Sequence, residues 1–251
     1  MTPESVLDAK SLVFVMGSLL SVAAVVRFRP SECRLVAEAA LPVGLAGFLI
    51  GVISMLAAEY NRNQIAPAVA IAILTLVYSG IVRLIFLDSL NQNLLGARSV
   101  VGKAAGTGGV LIMLTWATTS VSPDGLAMFW YPQVAMVMTG VALLVFLIGR
   151  LLDEGYATDW AKKILGLGWL GFCMGIVAAL SQLSTPTTLG PALAFSFISL
   201  LYSTVAVTLG LIWIPQAMTS EKGSLSLGLD QILPIAVAVL AVLVGLTVSL
   251  Q

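Results

Sequence analysis

The chain has 251 residues, twelve basic and twelve acidic side chains, no histidine and a net charge of zero. Apolar residues make up 59%, charged residues only 10%, and the mean hydropathy is +1.04. That balance excludes an ordinary soluble domain, where about a quarter of residues are charged, and a basic nucleic-acid surface; it predicts an all-α integral membrane protein with lipid as its main solvent.

About eight apolar stretches of roughly 20 residues, the length that crosses the hydrocarbon core, follow one another along the chain. They cover 11–28, 38–58, 65–87, 101–121, 132–151, 162–183, 189–213 and 231–250. The first ends on Arg27 and Arg29 rather than on a small-residue cleavage site, so it reads as a retained span. With the N-terminus outside, Arg27, Arg29, Arg34, Arg83, Arg98, Lys103, Arg150, Lys162, Lys163 and Lys222 fall on the cytoplasmic side. Only Lys10 and Arg62 stay outside. Positive charge is retained inside, so both termini are expected outside. Trp130, Tyr131 and Trp213 sit near span ends, where amphipathic rings favour the headgroup layer.

The second and third spans recur as the sixth and seventh. Residues 44–81 align without a gap to 168–205, at a fixed offset of 124 from Gly44 to Gly168. Gly47/Gly171, Phe48/Phe172, Gly51/Gly175, Pro67/Pro191, Tyr78/Tyr202 and Ser79/Ser203 are among the identical pairs. Such a period means two copies of one structural unit. Four spans separate the copies, so both face the same way and form parallel repeats about an axis along the membrane normal. The chain divides into 1–96, a first repeat of three helices; 97–218, a second of four; and 219–251, a cytoplasmic loop with a last span.

Gly44, Gly47 and Gly51, with Gly168, Gly171 and Gly175, form glycine ridges that let another backbone approach closely. They serve either internal packing or a partner helix. Pro67 and Pro191 are expected to open the following helices, where a missing N–H costs nothing. Tyr78 and Tyr202 lie about halfway down their spans, so their hydroxyls need a partner or a wet cavity. No carboxylate is central in any span; Glu59 and Asp88 read as boundary residues, and Arg83 as a side chain snorkelling to the interface. Asp230 opens the last span and fits a helix cap. Cys33 and Cys173 are not spaced as a metal or redox pair. With no carboxylate pair or reactive-cysteine setting, neither an enzyme nor a metal or cofactor site is expected.

The pattern G-x-x-G-x-x-x-G, a short external loop, then G/A-P-A-x-A and a tyrosine ten to eleven residues later resembles the last two membrane helices of the MotA/TolQ/ExbB family. The likeness is closer to its flagellar stator branch. Residues 8–32 and 132–151 resemble the family's second helix and 101–121 its first; 231–250 has the direction to supply the first helix to the first repeat. The resemblance implies an inner-membrane subunit of an ion-driven stator or energiser complex. Its expected partners are membrane lipid, a single-span MotB/ExbD-like subunit and other copies of itself. It also implies that the helices at 38–87 and 162–213 line a central surface, the glycines meeting the partner helix. Thr75, Tyr78, Ser199 and Tyr202 would be the polar lining, and Asp230 faintly resembles the partner subunit's ion-carrying aspartate.

Two departures alter that forecast. The family's large cytoplasmic domain is replaced by the short stretches 29–37 and 152–161. The threonine slots facing the family's ion path hold Phe48 and Phe172, then Leu76 and Leu200, with Thr75 and Ser199 one position earlier. An ion in the bilayer needs oxygen ligands, so the expectation is twofold: a working part of an ion-driven motor or energiser, or a degenerate structural member of one that does not itself conduct. The alternative is a small-solute carrier with its site between parallel repeats, which requires polar residues near the midplane of both.

Overall fold

The computed structural model describes residues 8–27, 33–57, 62–86, 99–121, 125–140, 143, 160–180 and 186–213. The expected span 231–250, with Asp230, Glu59 and Asp88, lies outside them. All regular structure among the described residues is helical. In chain order these are α1 (Ala9–Val25), α2 (Arg34–Ala57), α3 (Arg62–Ile85), α4 (Val100–Val121), a 3₁₀ turn (Gly125–Phe129), α5 (described over 132–140), α6 (Trp160–Leu180) and α7 (Pro186–Trp213). Arg34–Leu56, Val100–Val121 and Ser196–Trp213 are long and apolar enough to cross a membrane; Ala9–Val25 and Ala72–Ile85 are shorter apolar helices.

Local chemistry sets the ends of α1. The Asp8 carboxylate caps it, accepting from the Ser11 N–H at 2.8 Å and the Ser11 hydroxyl at 2.6 Å. Arg27 takes a left-handed conformation, φ 53°, which cannot continue a helix. α3 and α7 begin at equivalent positions, Arg62 and Pro186, five residues before Pro67 and Pro191. The prolines therefore do not open these helices as expected. Each is the sixth residue and forfeits a single bond, to the carbonyl of Asn63 or Thr187, near an end where that carbonyl can find another donor.

α2 is the hub. It is apolar on all sides, as a helix with no solvent face must be, and every residue from Leu35 to Ser54 is buried. Around it pack α1, α3 and α7, with α4 making a smaller contact. α2 and α3 form one antiparallel hairpin and α6 and α7 the other; α2 against α7 joins the two copies. α4 lies mainly along α1, on glycines. A Cβ on Gly106 would strike Val25, one on Gly109 would come within 2.6 Å of Ser21, and one on Gly17 would lie 2.6 Å from Met113 Sδ. Lys10 at the start of α1 donates to the Ser120 carbonyl at the end of α4, 3.3 Å. Lys103 at the start of α4 donates to the Trp213 carbonyl at the end of α7, 3.3 Å, and lies 5.8 Å from its ring. These contacts require α4 to run antiparallel to both α1 and α7.

Candidate functional site

The glycine ridge of α2 is filled by α3. A Cβ on Gly44 would collide with the Ser79 hydroxyl, one on Gly47 would lie 3.0 Å from Thr75 Cγ2 and 2.8 Å from the Phe14 ring of α1, and one on Gly51 would lie 2.8 Å from Ala72 Cβ. The same contacts recur in the second copy. Gly168 faces Ser203; a Cβ on Gly171 would lie 2.8 Å from Ser199 and 3.6 Å from Met138 of α5, and one on Gly175 would lie 2.7 Å from the Ser196 backbone. Every partner obeys the 124-residue offset, including Phe14 and Met138. That places α1 and α5 in the same slot, an equivalence the hairpins alone do not establish.

Hydroxyls close each seam. Thr75 Oγ1 donates within bonding distance of two carbonyls, Ala72 at 2.7 Å and Gly44 across the hairpin at 3.2 Å. Ser199 Oγ does the same with Ser196 at 2.8 Å and Gly168 at 3.2 Å. Ser79 and Ser203 bond back to Leu76 and Leu200, at 2.9 Å and 2.8 Å. Thr75 and Ser199 thus sit buried inside the hairpins, where bonding offsets the cost of desolvation. Thr75 also borders a cavity of about 30 Å³ shared with Lys10, Ser11, Gly47 and Trp116. Phe172 packs inward against Phe197, ring centroids 5.0 Å apart, and Phe48 is fully buried.

Tyr202 is placed differently from Ser199. Its hydroxyl donates to the Phe129 carbonyl, 2.7 Å, and accepts from the Tyr131 N–H, 3.0 Å. The partner that the sequence demands for this hydroxyl is therefore backbone at the entry to α5, and Tyr202 latches the 3₁₀ turn to α7. Tyr202→Phe should cost about 1 kcal/mol and release the Tyr131 amide to exchange while the α6–α7 seam stays protected. Unchanged exchange at Tyr131 would refute the latch. Beside it, a cavity of about 430 Å³ is lined by Trp130, Met138, Ile164, Leu167, Tyr202 and Leu209 among others, nearly all apolar. Tyr78, the equivalent in the first copy, is partly buried.

A charge cluster that the sequence reading overlooks lies at the start of α2. Glu38 is buried, and one carboxylate oxygen lies 2.8 Å from Arg34 Nε. Arg83, expected to snorkel outward, is buried at 7% exposure. The antiparallel register that sets Ser79 on Gly44 brings Arg83 level with Ala40, within a turn of Glu38. Second-copy counterparts are Thr158, Lys162 and Val207, so the cluster belongs to one copy alone. The signal available was spacing: Arg34 and Glu38 are four apart, one helical turn. Among the described residues, two buried hydroxyls, Ser18 and Ser54, have no hydrogen-bond partner. Among the described residues no three metal-ligating side chains cluster; Cys33 is partly exposed and Cys173 exposed.

No family model matches the chain, and comparisons with curated proteins and with solved structures give no match.

Proposed function

We propose that the chain is a multi-pass inner-membrane subunit of an ion-driven stator- or energiser-type complex, and that it acts there as scaffold rather than as conductor. On this reading eight spans form two same-orientation repeats with both termini outside, and the chain assembles with a single-span MotB/ExbD-like subunit and with further copies of itself. One observation carries it. The doubled motif that resembles the MotA/TolQ/ExbB family is used twice in the same way, its glycines seating the next helix and its Thr75 or Ser199 hydroxyl bonded to the Gly44 or Gly168 carbonyl. Those oxygens are turned onto backbone and the neighbouring slots are aromatic or aliphatic, which leaves no row of ligands along these two described seams to replace an ion's water.

The glycine ridges are occupied by the chain's own helices, so a partner helix has to dock elsewhere on the bundle. The carrier alternative needs a substrate site between the copies. Among the described residues, one cavity between the copies, lined by Phe14, Ser18, Val43, Ala46, Val205 and Thr208 among others, is about 10 Å³, close to the size of one water. Purification of the tagged protein in gentle detergent, with mass spectrometry of what accompanies it, tests the proposal. A single-span protein bearing an intramembrane aspartate is the expected companion. A homogeneous particle of this chain alone would overturn the stator reading.

A further inference from the structure

We infer that the chain assembles head to tail with copies of itself, α6 of one molecule packing on α3 of the next in the register by which α2 packs on α7 within one molecule. This deepens the assembly part of the reading above and rests on that part alone; it needs neither the single-span partner nor an ion.

The internal repeat supplies the argument. The α2·α7 interface is heterologous, one surface of the first copy against a different surface of the second. Each copy therefore owns both surfaces, yet among the described residues only one of each is used. Among the described residues, no comparable interface joins α3 to α6. The two unused surfaces are identifiable position by position. On α7, Leu201 and Thr208 are at most 4% exposed; their counterparts on α3, Val77 and Leu84, are 46 and 64% exposed. On α2, Ala46, Ile50 and Ile53 are at most 3% exposed; their counterparts on α6, Leu170, Met174 and Val177, are 64 to 74% exposed. Two apolar stripes lie bare at the positions where the other copy's equivalents are covered.

Lipid alone could cover apolar stripes, since lipid offers no hydrophobic penalty. What favours a second copy is the pairing: the stripes are the two halves of an interface the chain already makes. Glycines add to it. The ridge glycines all meet a neighbour, whereas Gly80 beside the α3 stripe and Gly166 beside the α6 stripe face open space. Small residues of this kind let helices approach in a bilayer. A heterologous contact repeated from chain to chain closes into a ring or runs on as a filament.

The register is specific. Val43 and Ala46 share a cavity with Val205 and Thr208, so Leu167 and Leu170 should meet Ile81 and Leu84 of the adjacent molecule. Leu84→Cys and Leu170→Cys, made on separate, differently tagged chains lacking Cys33 and Cys173, should cross-link in native membranes into a product bearing both tags. Both substitutions in one chain should give a ladder, and neither variant should cross-link to itself. Ala46→Cys with Thr208→Cys is the intramolecular control. Self-cross-linking of either single variant, cross-linking of the double variant only within one chain (as when 231–250 covers a stripe and the helices meet inside the molecule), or no cross-link while the control forms would each overturn the inference. Should the cysteine variants not fold, the native mass of the unmodified chain in lipid nanodiscs decides: several chains support it and one chain refutes it. A cross-linked assembly with no single-span companion would sink the stator reading and keep this one; a companion bound to a lone chain would do the reverse.

Discussion

Gly44→Leu should cost the chain about 3 kcal/mol or more, at the upper end of what overpacking costs, and Gly168→Leu should do the same independently. A first added carbon already collides with the Ser79 or Ser203 side chain, and beyond it stands the Thr75 carbonyl at 3.1 Å or the Ser199 carbonyl at 3.4 Å. Backbone on that side leaves the side chain no exit. Turning the serine away does not help, because its hydroxyl would lose the bond to Leu76 or Leu200. Separating the helices would break the Thr75–Gly44 or Ser199–Gly168 bond as well. A paired substitution isolates the cause. Gly44→Ala should lose most of its penalty when combined with Ser79→Gly, which removes the colliding atoms at a propensity cost of roughly 0.5 kcal/mol. Unfolding by detergent titration across this cycle reads the coupling. If Gly44→Ala alone lies within about 0.5 kcal/mol of the native chain, the range of ordinary surface changes, the ridge is not closed as described.

The same residues show what a sequence reveals of such a fold and what it withholds. The hairpins were legible because glycine spacing, the repeat and apolar length all act within one or two neighbouring helices. The slot shared by α1 and α5 was legible more weakly, and the contacts of Phe14 and Met138 with equivalent glycines strengthen it. Other features depend on which helices become neighbours, and periodicity does not carry that. α4 has glycines at 102, 106 and 109, and only packing shows that they serve α1 of the first copy. Tyr202 was placed by depth alone, so its demand for a partner was clear while the partner, backbone at residues 129 and 131, was not. Pro67 and Pro191 misled for a local reason: a proline marks where a helix can start, and six residues in it still costs only one bond. Arg83 misled because reach to an interface says nothing of what lies between.

The buried ion pair gives the second large effect. Glu38→Gln should destabilise the chain by about 3 kcal/mol, because cations left in low dielectric without their carboxylate keep the desolvation cost and lose the attraction; Arg34→Ala should cost less, since Arg83 lies within a turn of the same carboxylate. The helix itself does not call for this pair: a cation in the first turn opposes the macrodipole, so Arg34 is held by the carboxylate and the bundle around it. Nor does the hairpin require it, since the second copy closes the same glycine seam although its sequence counterparts of the three charged residues are Thr158, Lys162 and Val207. Replacing both partners together, Arg34→Leu with Glu38→Leu, in a chain that also carries Arg83→Leu so that no buried cation is stranded, should therefore recover most of the loss, as apolar replacement of buried ion pairs and triads commonly does. Comparing the single and combined variants by detergent unfolding, and then asking whether the combined variant still brings down the companion protein, separates two roles. Recovered stability with lost association would assign the cluster to the assembly, because only one of two otherwise equivalent copies carries it. Recovered stability with unchanged association would make it an inherited charge pair within the fold. Single variants as stable as the native chain would show that the carboxylate and guanidinium are screened, and the one-copy asymmetry would then carry no energetic weight.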